Sequence, residues 1–559
     1  MTGDSSNDLQ EDIIAQFPEL ELNLPDEELG RLTTMWKTEG KQLEGKVKSS
    51  WEENIDLWKG IRVLSGGGID QVRKNALKEN RTFTGLETFL PILTRQNPEA
   101  IVEDQEMKEN EMSATVATEL KYIADTQRLK LKIKQVARNW TFYQLGILKI
   151  EWNAIEGITK LIPKVAKRFY FDKDGYIEES QYKGRYLGEQ CSMTAREFVE
   201  LYPKSKAKVE EKTQGNLDSI IVYIEWWTPE YLIIEFENTF PYKIKHPHFN
   251  YAKKDKTFDE YGVEMETEDK PKNHFLKPEY PYAFLHVYES EASVYDETGL
   301  LQQAKKNQYA LDDRVEQVDK NVSRMNNSTV AYGLDEQQVV SANKALTDGG
   351  LVAFDDKTTQ GIERVSPPGL PGDVYNEMQL QRDAIDQVFA TNAVTRGEDS
   401  RDQTVRGKII ARQSDESRIG FISEYVEQMV DYAYNYCVQM MYVYYERPWV
   451  EQLPETPFLV SIKEGSMIPR DPLTVRNEAI DLFNSGALDI ETLYERLDFE
   501  NPRENAIKTM LYNRDPQAYL ALLGYSAVQQ PMPPQEAMPA VDMPVAPQEL
   551  PTDTIPLQV

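Results

Sequence analysis

Two cysteines in 559 residues, Cys191 and Cys437, do not make a disulfide framework. They lie far apart, and neither belongs to a C-x-x-C pair that would point to zinc. Cys437 falls inside an apolar helical pattern and is expected in the core. Histidine is scarce too, with four in the chain. His246-Pro247-His248 invites a metal reading but has no Cys, His, Asp or Glu partner at ligand spacing, so a loop after a β-hairpin is the simpler setting. No apolar run approaches the ~20 residues of a membrane span. Met1 to Glu11 lacks a basic-then-apolar leader pattern, so synthesis in a cytoplasm and no membrane partner are expected. There is no Walker A motif, no H-E-x-x-H and no nucleophile elbow. Ser65-Gly66-Gly67-Gly68 is read as a turn, because no G-K-[ST] follows it. Cations are also in deficit: 63 Lys and Arg against 93 Asp and Glu give a formal charge of −30, which argues against tight nonspecific binding to nucleic acid.

What is present is a chain with 40% hydrophobic and 28% charged residues, long enough for several packed units. Trp36, Leu43, Val47, Trp51, Ile55, Leu57 and Trp58 recur mostly at steps of three and four, predicting helices between Glu27 and Asn80. A helix around Phe89–Leu93, a stop at Asn97-Pro98 and a strand at Ala100-Ile101-Val102 follow. One long helix is expected from about Glu109 to Gly146, then a strand to Trp152 and a β-rich region to Tyr288. Ile220–Trp227 and Tyr231–Phe236, separated by Thr228-Pro229-Glu230, read as a hairpin.

From Glu297 to Asn327 the texture changes to a long helix of roughly 45 Å. Ala304, Leu311, Val315, Val318, Val322 and Met325 follow seven-residue spacing, with Gln308 the one polar break. So narrow a stripe suits packing beside neighbouring helices. Short strands and turns fill 328–372, ending in Ser366-Pro367-Pro368-Gly369-Leu370-Pro371-Gly372. A helix over Val374–Thr391, a polar loop and the longest helix, about Gln403 to Arg447 and stopped by Pro448, come next. A strand at Phe458–Ile462 and two or three short helices between Pro472 and Leu523 close the folded part. Beyond Tyr525 a Pro-rich tail without aromatics is expected to be disordered.

This order of elements resembles the portal proteins of short-tailed bacteriophages over roughly residues 30–525. Ser293–Leu300 opening the helix with Asn307 and Asn321 is similar to the family's first stem helix. Thr395-Arg396-Gly397-Glu398 followed by Thr404 resembles its "T-G-E…T-A-x-E" passage, with Arg396 where the family often has Gly or Thr. The resemblance implies an α+β portal fold that forms a ring. Its parts would be an N-terminal arm (1–26), a mixed α/β wing (27–292), a first stem helix (293–327) and a small α/β clip (328–372). A second stem helix (373–394), a tunnel loop (395–403), a long kinked wing helix with its return strand (404–468), a helical crown (469–525) and a disordered tail (526–559) would follow. It further implies a homo-oligomer, a dodecamer by the family's habit, at one capsid vertex of the virion and assembled in the host cytoplasm. Double-stranded DNA would pass through it, and large terminase, a tail adaptor, major capsid protein and scaffolding protein would be its partners, with no cofactor, no metal and no catalysis.

On that resemblance the ring-facing stem residues are Leu311, Val315, Val318, Val322 and Met325. Lys305, Lys306, Arg396 and Arg401, with Gln308, would brush DNA phosphates, and the tunnel loop is Thr395, Arg396, Gly397, Glu398, Asp399, Ser400, Arg401 and Asp402. Solvated faces or inter-subunit ion pairs explain the same charges. The acidic balance suits a channel wall that does not hold DNA, and equally a surface that keeps a protein soluble. Two other classes stay open. A metal-dependent nuclease could use Asp355-Asp356, Glu210-Glu211 or Asp312-Asp313, although no His or Lys constellation accompanies them. A head–tail adaptor or scaffold is usually shorter, or lacks so dense a Trp/Tyr β-region.

Overall fold

The computed structural model describes residues 25–65, 72–94, 97–104, 111–251, 254–258, 264–268, 271–289, 291–326, 329–331, 363–365, 369–391, 405–455, 457–463, 472–497 and 501–515. The expected arm before residue 25, the clip interior, the tunnel loop and the Pro-rich tail lie outside the described residues. The chain is a mixed α+β protein that divides into two units, residues 1–469 and 470–559.

Helix α1 (Asp26–Trp58) starts after Pro25, with Asp26, Glu27 and Glu28 in its first turn, where carboxylates suit the helix dipole. Helices had been expected as far as Asn80, but Ile61–Ser65 (β1) and Val72–Ala76 (β2) pair antiparallel, Ser65 opposite Val72. Gly60, at φ +75, ends the helix and lets the chain turn into this hairpin. Helix α2 (Arg81–Leu93) is capped by Asn80, whose side chain accepts from the Phe83 amide at 3.0 Å. Strand β3 (Ala100–Glu103) follows.

The single helix expected up to Gly146 is two, α3 (Glu111–Thr126) and α4 (Leu129–Tyr143). They are separated at Arg128, which takes the left-handed conformation at φ 52. Gln127 holds the break: its amide donates to Thr159 O at 2.6 Å and its carbonyl accepts from Leu161 N at 3.0 Å. Both partners lie in β5 (Ile158–Lys164), which pairs with β4 (Gly146–Asn153). Strand β15 (Tyr282–Leu285) completes that three-stranded sheet on the other side of β4. A five-stranded antiparallel sheet runs in the order Thr239–Lys245 (β12), Tyr231–Phe236 (β11), Ile220–Trp227 (β10), Leu187–Thr194 (β9) and Phe169–Phe171 (β6). The expected hairpin is present, with Trp227 opposite Leu232. Two short helices not expected from the sequence, Ala195–Leu201 and Lys206–Thr213, lie between β9 and β10. The first is fixed by a capping box of Thr194 and Glu197.

Alternation along β10 sorts its side chains into two cores. Ile221, Tyr223 and Trp227 meet Tyr282 and Phe284 of the three-stranded sheet, whereas Trp226 faces Leu29 and Trp36 of α1. A third and larger core gathers α2, α3 and α4 around the longest helix, α9 (Val405–Tyr444). Between Val426 and Met441 that helix is apolar nearly all round, as a helix crossing a core must be, and Cys437 sits there fully buried as expected. Strand β18 (Leu459–Ile462) then returns to pair with β3.

Before α9 come helix α7 (Leu300–Asn326), a short ladder of Thr329–Ala331 with Glu363–Val365, and helix α8 (Gly372–Val388). In the second unit, Pro472–Asn484, Ile490–Arg496 and Pro502–Arg514 form three helices around Ala479, Leu493 and Ala506.

Candidate functional site

Helices α7 and α8 form an antiparallel pair. Arg314 of α7 reaches Glu377 near the start of α8 at 2.8 Å. Gln308, a turn and a half earlier, lies level with the far end of α8 through Arg81, which is bonded to Asp386. Both helices are rooted in one short segment, residues 78–82. Gln308 is fully buried: its carbonyl accepts from the amides of Arg81 (3.0 Å) and Thr82 (3.2 Å), and its amide donates to Glu79 O (2.6 Å). It therefore satisfies the first amides of α2, which that helix cannot pair internally. Asp312 accepts from Lys78 N at 2.8 Å. Arg62 of β1 binds Asp312 and Asp313 and stacks over Tyr309 at 4.9 Å. The hydrogen bond to Asp313 raises its pKa, against a smaller opposing cost of burial. From α8, Arg382 makes two bonds to Glu79 (2.9 and 2.8 Å), and Arg81 makes two to Asp386 (3.2 and 3.1 Å). Gly85 of α2 lets Phe389 approach so closely that an added Cβ would stand 2.5 Å from the ring.

These positions correct part of the expectation from sequence. Gln308, expected to face a channel, instead caps helix α2, because the first half of α7 docks on residues 78–82. Leu311 is fully buried within its own chain, as is Ala304, and Val315 and Val318 pack partly on the same core. Of the expected ring-facing stripe, only Val322 and Met325 remain open, each about half exposed at 48% and 49%. They are joined by residues the stripe did not include, Tyr375 and Leu380 of α8, at 53% and 66%. Lys305 is bonded to Glu53 at 2.5 Å, and Lys306 is exposed. Arg396, Arg401 and the whole of Thr395–Asp402 lie outside the described residues.

The acidic pairs weighed as a metal site are no more free. Asp312-Asp313 is taken by Arg62, Glu211 is bonded to Lys208, and Asp355-Asp356 lies outside the described residues. His246 and His248 are buried against Trp227, on the strand β10 hairpin. One cluster has no local sequence signal, since its members come from β4, β5, β9, β10 and β15. Lys149 lies 2.9 Å from Glu189 and 2.6 Å from Glu225, Lys164 also binds Glu189, and the Tyr282 hydroxyl donates to Glu189 at 2.8 Å. Burial works against both charges. Even so, Lys149 and Lys164 hold Glu189 down to about 2, while Glu225, Tyr282 and Glu189 keep Lys149 well above its ordinary value. Glu189, Cys191 and Glu225 place one ligand atom each within 4.8 Å of one another. The Lys149 ammonium already fills the cation's place, and burial with the two carboxylates pushes the Cys191 thiol up, away from the thiolate a metal needs. The donor set fits an ion network joining two sheets.

The stem root makes one direct prediction. Gln308→Met, of similar length, leaves the Arg81 and Thr82 amides buried without an acceptor. It is expected to cost about 2–3 kcal/mol, read as a lower urea midpoint with unchanged slope. A midpoint equal to that of the native chain would refute the capping role. No family model matches this chain, and no curated protein matches it.

Proposed function

We propose that the chain is a subunit of a tailed-bacteriophage portal, the ring at one capsid vertex through which double-stranded DNA enters and leaves. The supporting observation is the stem pair. Two antiparallel helices flank an insertion of about 45 residues (327–371), are locked to the wing at one end, and leave Val322 and Met325 uncovered at the other, with Tyr375 and Leu380 exposed along the second helix. Exposed apolar side chains on a narrow two-helix projection are stabilised when like projections stand beside them, and head-to-tail contacts that close by rotation make rings. The ion pairs at residues 78–82 then keep each stem at a fixed angle to its wing.

In this role the protein does no chemistry. Terminase supplies the force for packaging, the clip receives first the motor and then the tail adaptor, and the loop at 395–402 touches the moving DNA. The dominance of carboxylates over cations keeps the wall from holding DNA.

Charge on the open stem face tests the proposal. Met325→Glu together with Leu380→Glu changes exposed positions and is expected to leave the melting temperature of the subunit unchanged while shifting the purified protein to smaller species in sedimentation. Unaltered assembly would remove the stem from the interface. Deleting residues 396–401 is expected to leave assembly intact and reduce DNA retention in filled heads; normal retention would argue against the loop's role.

A further inference from the structure

Against a formal charge of −30, residues 121–138 stand out, with six cations (Lys121, Arg128, Lys130, Lys132, Lys134, Arg138) and a single acid, Asp125. In the structure they lie on α3 and α4. Lys121, Arg128 and Lys130 are exposed and Lys134 is half-buried, and none of these four side chains meets a carboxylate among the described residues. Lys130 and Lys134 share one face of α4, one turn apart. Between the charges stand Tyr122 and Leu131, both about half exposed. Lys132 is held below its ordinary pKa by burial, with a smaller contribution from Lys160. A phosphate backbone would account for the cations but not for the exposed Leu131 and Tyr122. A segment that alternates acids with apolar residues accounts for both.

The chain contains such a segment. Residues 1–28 hold nine carboxylates and no Lys or Arg, and Glu19-Leu20-Glu21-Leu22 follows Ile13, Ile14 and Phe17. The C-terminal residues 516–559 are also without cations, but hold four acids spread among prolines. Reach decides which copy's segment is available. The last turns of α1 meet the last turn of α4: Asn54 donates to Phe142 O, and Trp51 packs edge-on to Tyr143. At 1.5 Å per residue, Asp26 lies about 38 Å back along α1 from that contact, and Lys130 about 20 Å away along α4. Midway along α1 Gly40 lies against Tyr170, whereas Gln127, just before α4, binds Thr159 and Leu161, so the two helices lead from the contact to different parts of the fold. Glu19 and Glu21 precede Pro25 by six and four residues, a span of at most about 21 Å. The arm therefore starts away from its own α4, and the basic face of a neighbouring copy is the partner we infer.

We propose that the basic face of α3 and α4 is the docking site for the acidic segment around Glu19–Leu22 of a second copy of this chain, which would tie neighbouring subunits by their N-terminal arms. This rests on the ring-forming role proposed above.

Zero-length carbodiimide coupling of the full-length protein, assembled from a mixture of isotopically light and heavy chains, tests it. Peptides joining Glu19 or Glu21 to Lys130 or Lys134 are expected, with mixed isotopes in about half of them. Lys130→Glu with Lys134→Glu, both at the surface, is expected to reduce those links at least tenfold. Adding Glu19→Lys and Glu21→Lys to the same chain restores coupling with the charges exchanged. Links confined to chains of one isotope, arm carboxylates coupled only to other lysines, or C-terminal acids in their place would each overturn the proposal. A ring without these links defeats the docking alone, whereas a monomeric mass defeats the ring-forming role as well.

Discussion

Acidification from pH 6.5 to 4.5 is expected to remove about 2 kcal/mol of stability through His246 and a further amount through His248, against which Asp431 restores about 2. All four histidines of the chain lie between residues 246 and 286, and three contact or adjoin α9 or the aromatic cluster beneath it. Burial pushes His246 down to about 3, against a weaker opposing interaction of the ring with the Glu279 backbone carbonyl. His248 is stacked on Trp227, with Nδ1 3.1 Å from the Tyr444 hydroxyl. Burial, then His246 and Lys149, put it well below its ordinary value. Both are neutral in the folded chain, while the unfolded chain takes up protons below about 6.5. Their contribution is therefore complete above that pH and is lost below it, for His246 by about 1.4 kcal/mol for each pH unit. Asp431 has the opposite sign: burial raises it to about 6, so the folded state binds a proton first and gains as the pH falls. Urea titrations at pH 7 and 4.5 measure the difference, and His246→Phe should flatten the dependence by one proton. Equal stability at the two values would show these histidines to be solvated.

Lys149→Met is expected to destabilise the wing by about 3–5 kcal/mol, the range for leaving a buried ionic partner unmatched. Glu225 loses its ammonium at 2.6 Å, and Glu189 keeps only Lys164 and Tyr282. Lys149→Met combined with Glu225→Gln, which removes the unmatched carboxylate, should recover part of the loss. Thermal melts of the three proteins at pH 7.5 measure both effects. A single variant as stable as the native chain at pH 7.5 would mean that the network contributes shape and not stability.

Much of the fold was legible because it is locally determined. The helix at 300–326, the hairpin at 220–236, the strand at 146–153 and the stop at Pro448 follow from periodicity, β-branched and aromatic runs, and proline chemistry. What failed depended on distant partners. Val72–Ala76, with Arg73, Lys74 and Asn75, has little strand propensity and becomes a strand by pairing with Ile61–Ser65. The break at Arg128 is set by Gln127 binding β5, more than thirty residues on. The stem stripe was read correctly as a narrow apolar edge, but its first half is covered by a wing segment some 230 residues earlier. Gln308, which looked like a flaw in the stripe, is the residue that makes this docking specific. Tyr375 and Leu380, five residues apart and so on different sides of α8, could have been flagged as apolar positions outside its buried residues. The Lys149 cluster gave no signal, being built from five strands.

At the centre of this account is the proposal that the exposed apolar residues of the helix pair, Val322, Met325, Tyr375 and Leu380, are covered by neighbouring copies in a closed ring. The mass of the purified native protein, by light scattering with negative-stain images of the same fractions, tests that most directly. The account predicts a ring with a central hole and, for twelve copies of the 64.4 kDa chain, a mass of about 770 kDa. A stable 64.4 kDa monomer at micromolar concentration, with that face open to solvent, would contradict it.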